Sequence, residues 1–339
     1  MKKLFILSIL ASLFAVGCSS KSGAPKAPDV KAADAVAVKI IRLDRDLAKS
    51  NVNNLTAVGP MIRAKYGEFG ELYCEGILGI GRTTSPDFQK GLYAFLTYPV
   101  VQEGFSASNR VFTPDVISKV EEELSSAFTL YKGTFPDRQI PKVYSYVAGF
   151  NQSMMLADGA LGIGLDKYLG ADYKNYPSMG FPRYIMRKMT VEHLPVDAMY
   201  AWASGEFPIR SASEPLLSHM VYQGKLMYLV SQMMPNVTDT LLFGFTKKQM
   251  KWVKNNEKMM WEVLIGQKLL FNTEQMVATK MVGEAPFTTI YSPDSPGKAA
   301  VWQGFRIVSS YMKNTGSTLD QLMKEDDFQK ILDLAKYKP

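Results

Sequence analysis

Few residues in this chain of 339 combine a reactive side chain with a spacing that could do chemistry, and Cys18 is the first of them. It follows Ala15, Val16 and Gly17, which close an apolar run beginning at Leu4, and Lys2 and Lys3 precede that run. A basic start, an apolar stretch too short to span a bilayer and a junction of small residues make an export signal. A cysteine at the cut makes the segment a lipobox, with alanine standing three residues before it where leucine is usual. The thiol would then carry a diacylglycerol. At about 0.8 kcal/mol per buried methylene, two or three acyl chains hold a protein to a membrane almost permanently.

The remaining candidates are sparse. With Cys18 lipidated, Cys74 stands alone, so no intrachain disulfide can form, and its neighbours Leu72, Tyr73 and Ile77 mark it as a buried hydrophobe. His193 and His219 are the only histidines, and neither belongs to an HExxH pair. Catalytic zinc normally takes three protein ligands with histidine prominent. His219 and Gln223 would share a helix face, but glutamine is a poor zinc ligand. A hydrolase built here would have to use Asp166, Asp197 or Glu214 with one histidine. Arg183 and Arg187 are close enough in sequence to Asp197 to pair with it. No Walker A motif, dinucleotide-binding fingerprint or Gly-x-Ser-x-Gly elbow is present. Gly159, Gly162 and Gly164 alternate with apolar residues as in a strand, and do not open a helix as a phosphate cradle requires.

These residues must be positioned mostly by helices. Ser85-Pro86-Asp87 and Thr113-Pro114-Asp115 read as helix starts, each followed by apolar residues at helical intervals. Glu121, Glu122 and Glu123 fall on the solvated side of the second. Ala37 to Leu43 reads as a strand or an extended lead-in. Lys142–Ala148, Gln152–Ala157 and Ala160–Leu165 alternate as strands, with Asp158-Gly159 as a hairpin turn. Beyond Pro182 the pattern is helical to the end. The Met- and aromatic-rich stretch 179–228 reads as helix cores filled by adaptable methionines, with a ligand groove as the alternative.

Composition bounds the rest. The formal net charge is +7, and the charges are interspersed without a basic stripe, which gives no reason to expect nucleic acid. The sequence divides into a signal peptide (1–17), a lipidated cysteine with a Ser/Gly/Pro/Ala/Lys-rich flexible stalk (18–37) and one domain (38–339). No acidic run follows Cys18, which favours a periplasm-facing position.

Six segments together resemble the gliding-motility lipoprotein GldB family of Bacteroidetes. They are the lipobox, IIRLDRDL (40–47), YSYVAGFNQSMMLADGALGIGLDKYLG (144–170), FPRYIMRKM (181–189), MVYQGKLMYL (220–229) and SPGKAAVWQGFRIVSSYM (295–312). The resemblance implies an envelope lipoprotein serving gliding, in bacteria where gliding is linked to type IX secretion. GldB-like sequences are in turn distantly similar to zincin-like peptidases. That similarity implies a strand at Leu161–Leu165 and a metal helix at Val196–Tyr200. Val196 and Tyr200 then stand where histidines would be, Asp197 where the general base would be, and Gln223 at the third ligand.

The expectation is an α+β domain, mostly helical with a small antiparallel β-sheet, on a degenerate zincin-like scaffold. Asp166, Asp197, Tyr200 and Gln223 would form its degenerate cleft or interaction surface, with no metal and no cofactor. The expected partners are the membrane, through Cys18, and other envelope proteins of a gliding or secretion assembly. A divergent zincin-like hydrolase and a lipoprotein binding peptide or glycan in the same cleft are the alternatives.

Overall fold

The structure is a computed structural model that describes residues 35–209 and 214–339. Cys18, the expected signal peptide and most of the expected stalk therefore lie outside the described residues. The chain begins with strand β1 (Ile40–Arg42) and helices α1 (Leu43–Ala48) and α2 (Val58–Leu72), the latter continued by a π-turn through Tyr73–Ile77. Helices α3 (Phe88–Thr97), α4 (Pro99–Val111) and α5 (Pro114–Thr134) follow, then strands β2 (Lys142–Tyr146), β3 (Met154–Ala157) and β4 (Ala160–Gly164). The C-terminal half is helical: α6 (Arg183–Met186), α7 (Leu194–Glu206), α8 (Leu216–Met233), α9 (Asp239–Phe243), α10 (Lys247–Asn255), α11 (Glu257–Gly266) and α12 (Gln275–Val282). It closes with α13 (Ala299–Thr315), α14 (Leu319–Lys324) and α15 (Phe328–Ala335). The fold is α+β, as expected. Among the described residues no helix is long and apolar enough to cross a membrane.

The sheet is mixed, not wholly antiparallel. Its order is β1-β2-β4-β3; β1 and β2 are parallel, β2 and β4 are parallel, and only β3 runs antiparallel to β4. The hairpin forms at Asp158-Gly159, with Gly159 at φ 60° as the turn requires. The parallel pairing arises because the chain leaving β2 crosses to the outside before β3 begins. Gly149 (φ 63°) and Phe150 (φ 67°) make that turn in the left-handed region, and Asp166 holds it. The Asp166 carboxylate accepts hydrogen bonds from the backbone N–H of Ala148 (3.0 Å) and of Phe150 (2.6 Å).

The N-terminal segment is zipped to α5. The N–H groups of Val36, Val38 and Ile40 donate to Thr129 Oγ1, Ser125 Oγ and Glu121 Oε1 at 2.8, 2.9 and 2.9 Å. Two residues of extended chain advance about 6.6 Å and four residues of helix about 6 Å, so alternate N–H groups meet side chains four apart. Glu121 is therefore not a solvated bystander, because it also pairs with Lys39. The IIRLDRDL segment becomes β1 and α1. Its Asp44 accepts from Ser145 Oγ (2.5 Å) and from Arg42 (2.6 and 2.9 Å), which ties the segment to β2. Cys74 is fully buried in the π-turn, and burial pushes its thiol up to about 12, so it packs as a neutral hydrophobe.

Helix α8 is buried almost all round, so its apolar residues are not confined to one face. Its most extensive partner is α13. The two backbones meet at Gly224 and Gly304. A Cβ on Gly224 would lie 2.3 Å from the carbonyl carbon of Gly304, and one on Gly304 would lie 1.9 Å from the carbonyl oxygen of Met220. Only glycine allows this approach. Gly224→Ala must part the two helices, and the expected cost is about 3 kcal/mol of stability, read as a lowered urea midpoint. An unchanged midpoint would show that the contact is dispensable.

Candidate functional site

Val196, Asp197, Tyr200, Ala201 and Ser204 share one face of α7, and Gln223 and Met227 share one face of α8. These faces meet over a cleft of about 480 Å³. Ser153 and Met154 at the start of β3 form one wall. The opposite side comes from Leu241 to Gly244 and from Gly283, Glu284, Lys298 and Val301. The strand wall is thus β3, at the sheet edge. The expected strand, Leu161 to Leu165, is β4 and a following 3-10 turn, and it lies buried inside the sheet.

Three of the four expected cleft residues converge here, and each is already engaged. Asp197 Oδ2 accepts from Tyr168 O–H at 2.9 Å. Burial raises the Asp197 carboxyl above its ordinary value, although Tyr168, Lys188 and Lys298 all favour its charged form. Tyr200 O–H donates to Gln223 Oε1, and burial pushes the Tyr200 phenol up to about 12. Asp166 is not part of the cleft. It is fully buried beneath the β2–β3 crossover, where desolvation lifts its carboxyl to about 6, so its role is to hold the loop that presents β3.

Of the two histidines, only His193 reaches the cleft. Its Nδ1 lies 3.1 Å from Thr190 Oγ1. Burial and the adjacent Lys188 push the ring down to about 4, so it is neutral at neutral pH. His219 sits on α8 with Nε2 shielded from solvent and no acceptor or donor beside it among the described residues. Glu214 accepts from Ser218 Oγ at 3.0 Å and lines a separate cavity of about 70 Å³. Arg183 and Arg187 do not pair with Asp197, because they line a different groove from the cleft.

The strongest electrostatic feature is one that sequence reasoning missed. Lys188 Nζ and Lys298 Nζ both donate to Glu284 Oε1, at 2.5 and 2.8 Å. Burial alone would push Glu284 up, but Lys298 and Lys188 outweigh it and hold its carboxyl down at about 2. Burial and the neighbouring Lys298 lower Lys188 in turn. Lys298 adopts φ 48°, an uncommon backbone for a residue with a Cβ, at the N-cap of α13. The loop before it enforces that geometry. Ser295 Oγ donates to Thr288 O at 2.7 Å, Thr288 Oγ1 donates to Pro296 O at 2.8 Å, and Ala299 N–H donates to Thr288 Oγ1 at 3.1 Å. Backbone strain held in place by a bonded loop is a mark of functional sites. The available signal was SPGK, a tight turn placing a lysine at a helix start.

Among the described residues no group of three or more His, Cys, Asp or Glu side chains is placed to hold a metal ion. The arrangement suits recognition: two ammoniums, two carboxylates and a tyrosine–amide pair rim a cavity walled by Met154, Val196, Met227 and Val301. The molecule is thus a helical α+β protein with a charge-paired cleft to which α7, Glu284 and four of the segments quoted above contribute. The family model described as gliding motility protein GldB matches residues 23–339, and the chain belongs to that family. No curated protein and no solved structure matches it.

A carboxyl held below its ordinary value stabilises the fold above that value, and the stabilisation is lost as pH falls toward the folded pKa. Glu284→Gln should therefore be less stable than wild type at neutral pH. The gap should close as pH falls from 4.5 toward 2, measured by thermal unfolding across that range. A gap that persists at the acid end would mean that packing, not charge, is what the variant loses.

Proposed function

We propose that this protein is a non-catalytic, lipid-anchored component of the bacterial envelope that serves gliding motility and, where the two are coupled, type IX secretion. Its cleft is a recognition surface for another envelope protein, on a peptidase-like scaffold that has lost its chemistry. Family membership supports the link to gliding, the lipobox at Cys18 supports the anchor, and the lack of an acidic run after Cys18 supports a periplasm-facing position. The observation that carries the non-catalytic reading is the Tyr200–Gln223 hydrogen bond. These are two of the three positions that would be metal ligands in a zincin-like site, and here they bind each other. Val196, at the third, is buried and apolar, and Asp197, at the place of the base, is held by Tyr168. That Tyr200 and Gln223 bind each other, that Val196 is apolar and that one oxygen of Asp197 is engaged together support a reading without catalysis.

A divergent hydrolase is the second reading, favoured by one observation: a neutral His193 and the carboxyl of Asp197 line the same cleft. Metal analysis of the full chain purified in detergent separates the two. Zinc should be far below one equivalent per chain. Stoichiometric zinc that disappears in Asp197→Ala would replace the recognition reading with the hydrolytic one.

Tethering has its own test. Cys18→Ser should leave thermal unfolding of the body unchanged while releasing the chain from the membrane fraction and abolishing colony spreading in a gliding host. A variant that stays membrane-bound and active would show that the cysteine is not the anchor.

A further inference from the structure

A groove of about 770 Å³ is lined by residues next in sequence to those of the cleft. The same two segments wall both. Lys188 and Glu284 face the cleft, whereas the adjacent Arg187 and the nearby Phe287 face the groove. Its charge is one-sided. Lys174, Arg183 and Arg187 line it against one carboxylate, Asp172, and none of the three cations forms an ion pair among the described residues.

Arg183 and Arg187 are one helical turn apart, with Arg187 N–H donating to Arg183 O at 3.2 Å. Like charges at this spacing repel, and no acceptor among the described residues relieves them. The Arg187 Nε is shut off from solvent and has no acceptor among the described residues. Its guanidinium thus reaches the groove without a hydrogen-bond or ion-pair partner among the described residues. Tyr173 and Tyr184 add aromatic walls, and Phe287 stands half exposed at the rim.

We propose that this groove binds a phosphate monoester carrying an apolar or aromatic group, with Arg183 and Arg187 taking the phosphate oxygens and Lys174 adding charge. A surplus of two positive charges matches a phosphate dianion better than a carboxylate. The planar guanidinium fork is the side chain best suited to bind its oxygens in pairs. The phosphate could belong to a lipid headgroup at the membrane face or to a soluble ester. The chemistry is the same for both, and the proposal is independent of the cleft reading.

Calorimetric titration of the full chain in detergent tests this. Phenyl phosphate should bind saturably and benzyl alcohol should not. Arg183→Gln, at an exposed position that folding does not need, and Arg187→Lys, which keeps charge but loses the fork, should each weaken phenyl phosphate about tenfold or more, the loss of one charge-assisted bond. Lys258→Gln, on the distant α11 surface, should leave affinity unchanged. If soluble dihexanoyl phosphatidic acid competes more tightly than phenyl phosphate, the headgroup is the source; if more weakly, a soluble ester is. Absence of saturation at millimolar phenyl phosphate, equal binding of benzyl alcohol, or equal affinity in wild type and both arginine variants would overturn the proposal.

Discussion

The contact between the backbones of α8 and α13 at Gly224 and Gly304 is the constraint on which the rest of the molecule depends. With no Cβ on either side, the two longest helices of the C-terminal half meet main chain to main chain. Side-chain packing alone would keep their axes about 8–10 Å apart. The close approach lets α8 be surrounded on nearly every side, so its methionines and leucines fill the core. It also sets the site. Gln223 is the residue before Gly224, and Lys298 and Val301 lie at the start of the helix that carries Gly304. Fixing the glycine contact brings the amide, the ammonium and the apolar wall to one cavity.

On that frame the cleft is organised by opposed charges. Lys188 and Lys298 repel each other, and Glu284 between them offsets the repulsion. The arrangement costs a strained φ at Lys298, which the hydrogen-bonded 288–299 loop enforces. Asp197 and the Tyr200–Gln223 pair are each bound by neighbours, so the rim is pre-organised and polar while the walls are apolar. Such a surface loses little on ordering when a partner arrives, which suits a component of an assembly.

The local parts of the fold were legible in the sequence. Thr113 caps α5 as its type and position suggest, and the Asp158-Gly159 turn joins β3 to β4 because both signals act within a few residues. Met199, Met220 and Met227 are core, as the periodicity of their segments implies. The parallel pairing of β1, β2 and β4 was not legible, because nothing local records which strand a remote segment joins. Glu121 looked like a solvated charge, since its partners are the N–H of Ile40 and the ammonium of Lys39, some eighty residues away. Asp166 was expected in the cleft beside Asp197, as one of the carboxylates a hydrolase there would use. Burial under the crossover turned it into a loop brace. Lys188, Glu284 and Lys298 were missed together, because each alone resembles a surface charge and only their meeting defines the site.

Sequence by itself determined what contiguous residues decide. The lipobox expected at Cys18 is read from a linear pattern that needs no fold, and helix starts and the hairpin turn follow from nearest neighbours. Tertiary structure alone decided which of the scarce polar groups share a cavity. The cleft draws on residues from 153 to 301, and its charges act through distances of a few ångströms between positions about a hundred residues apart. Coulomb and hydrogen-bond energies fall off within that range, so such a site exists only once the chain has closed around it.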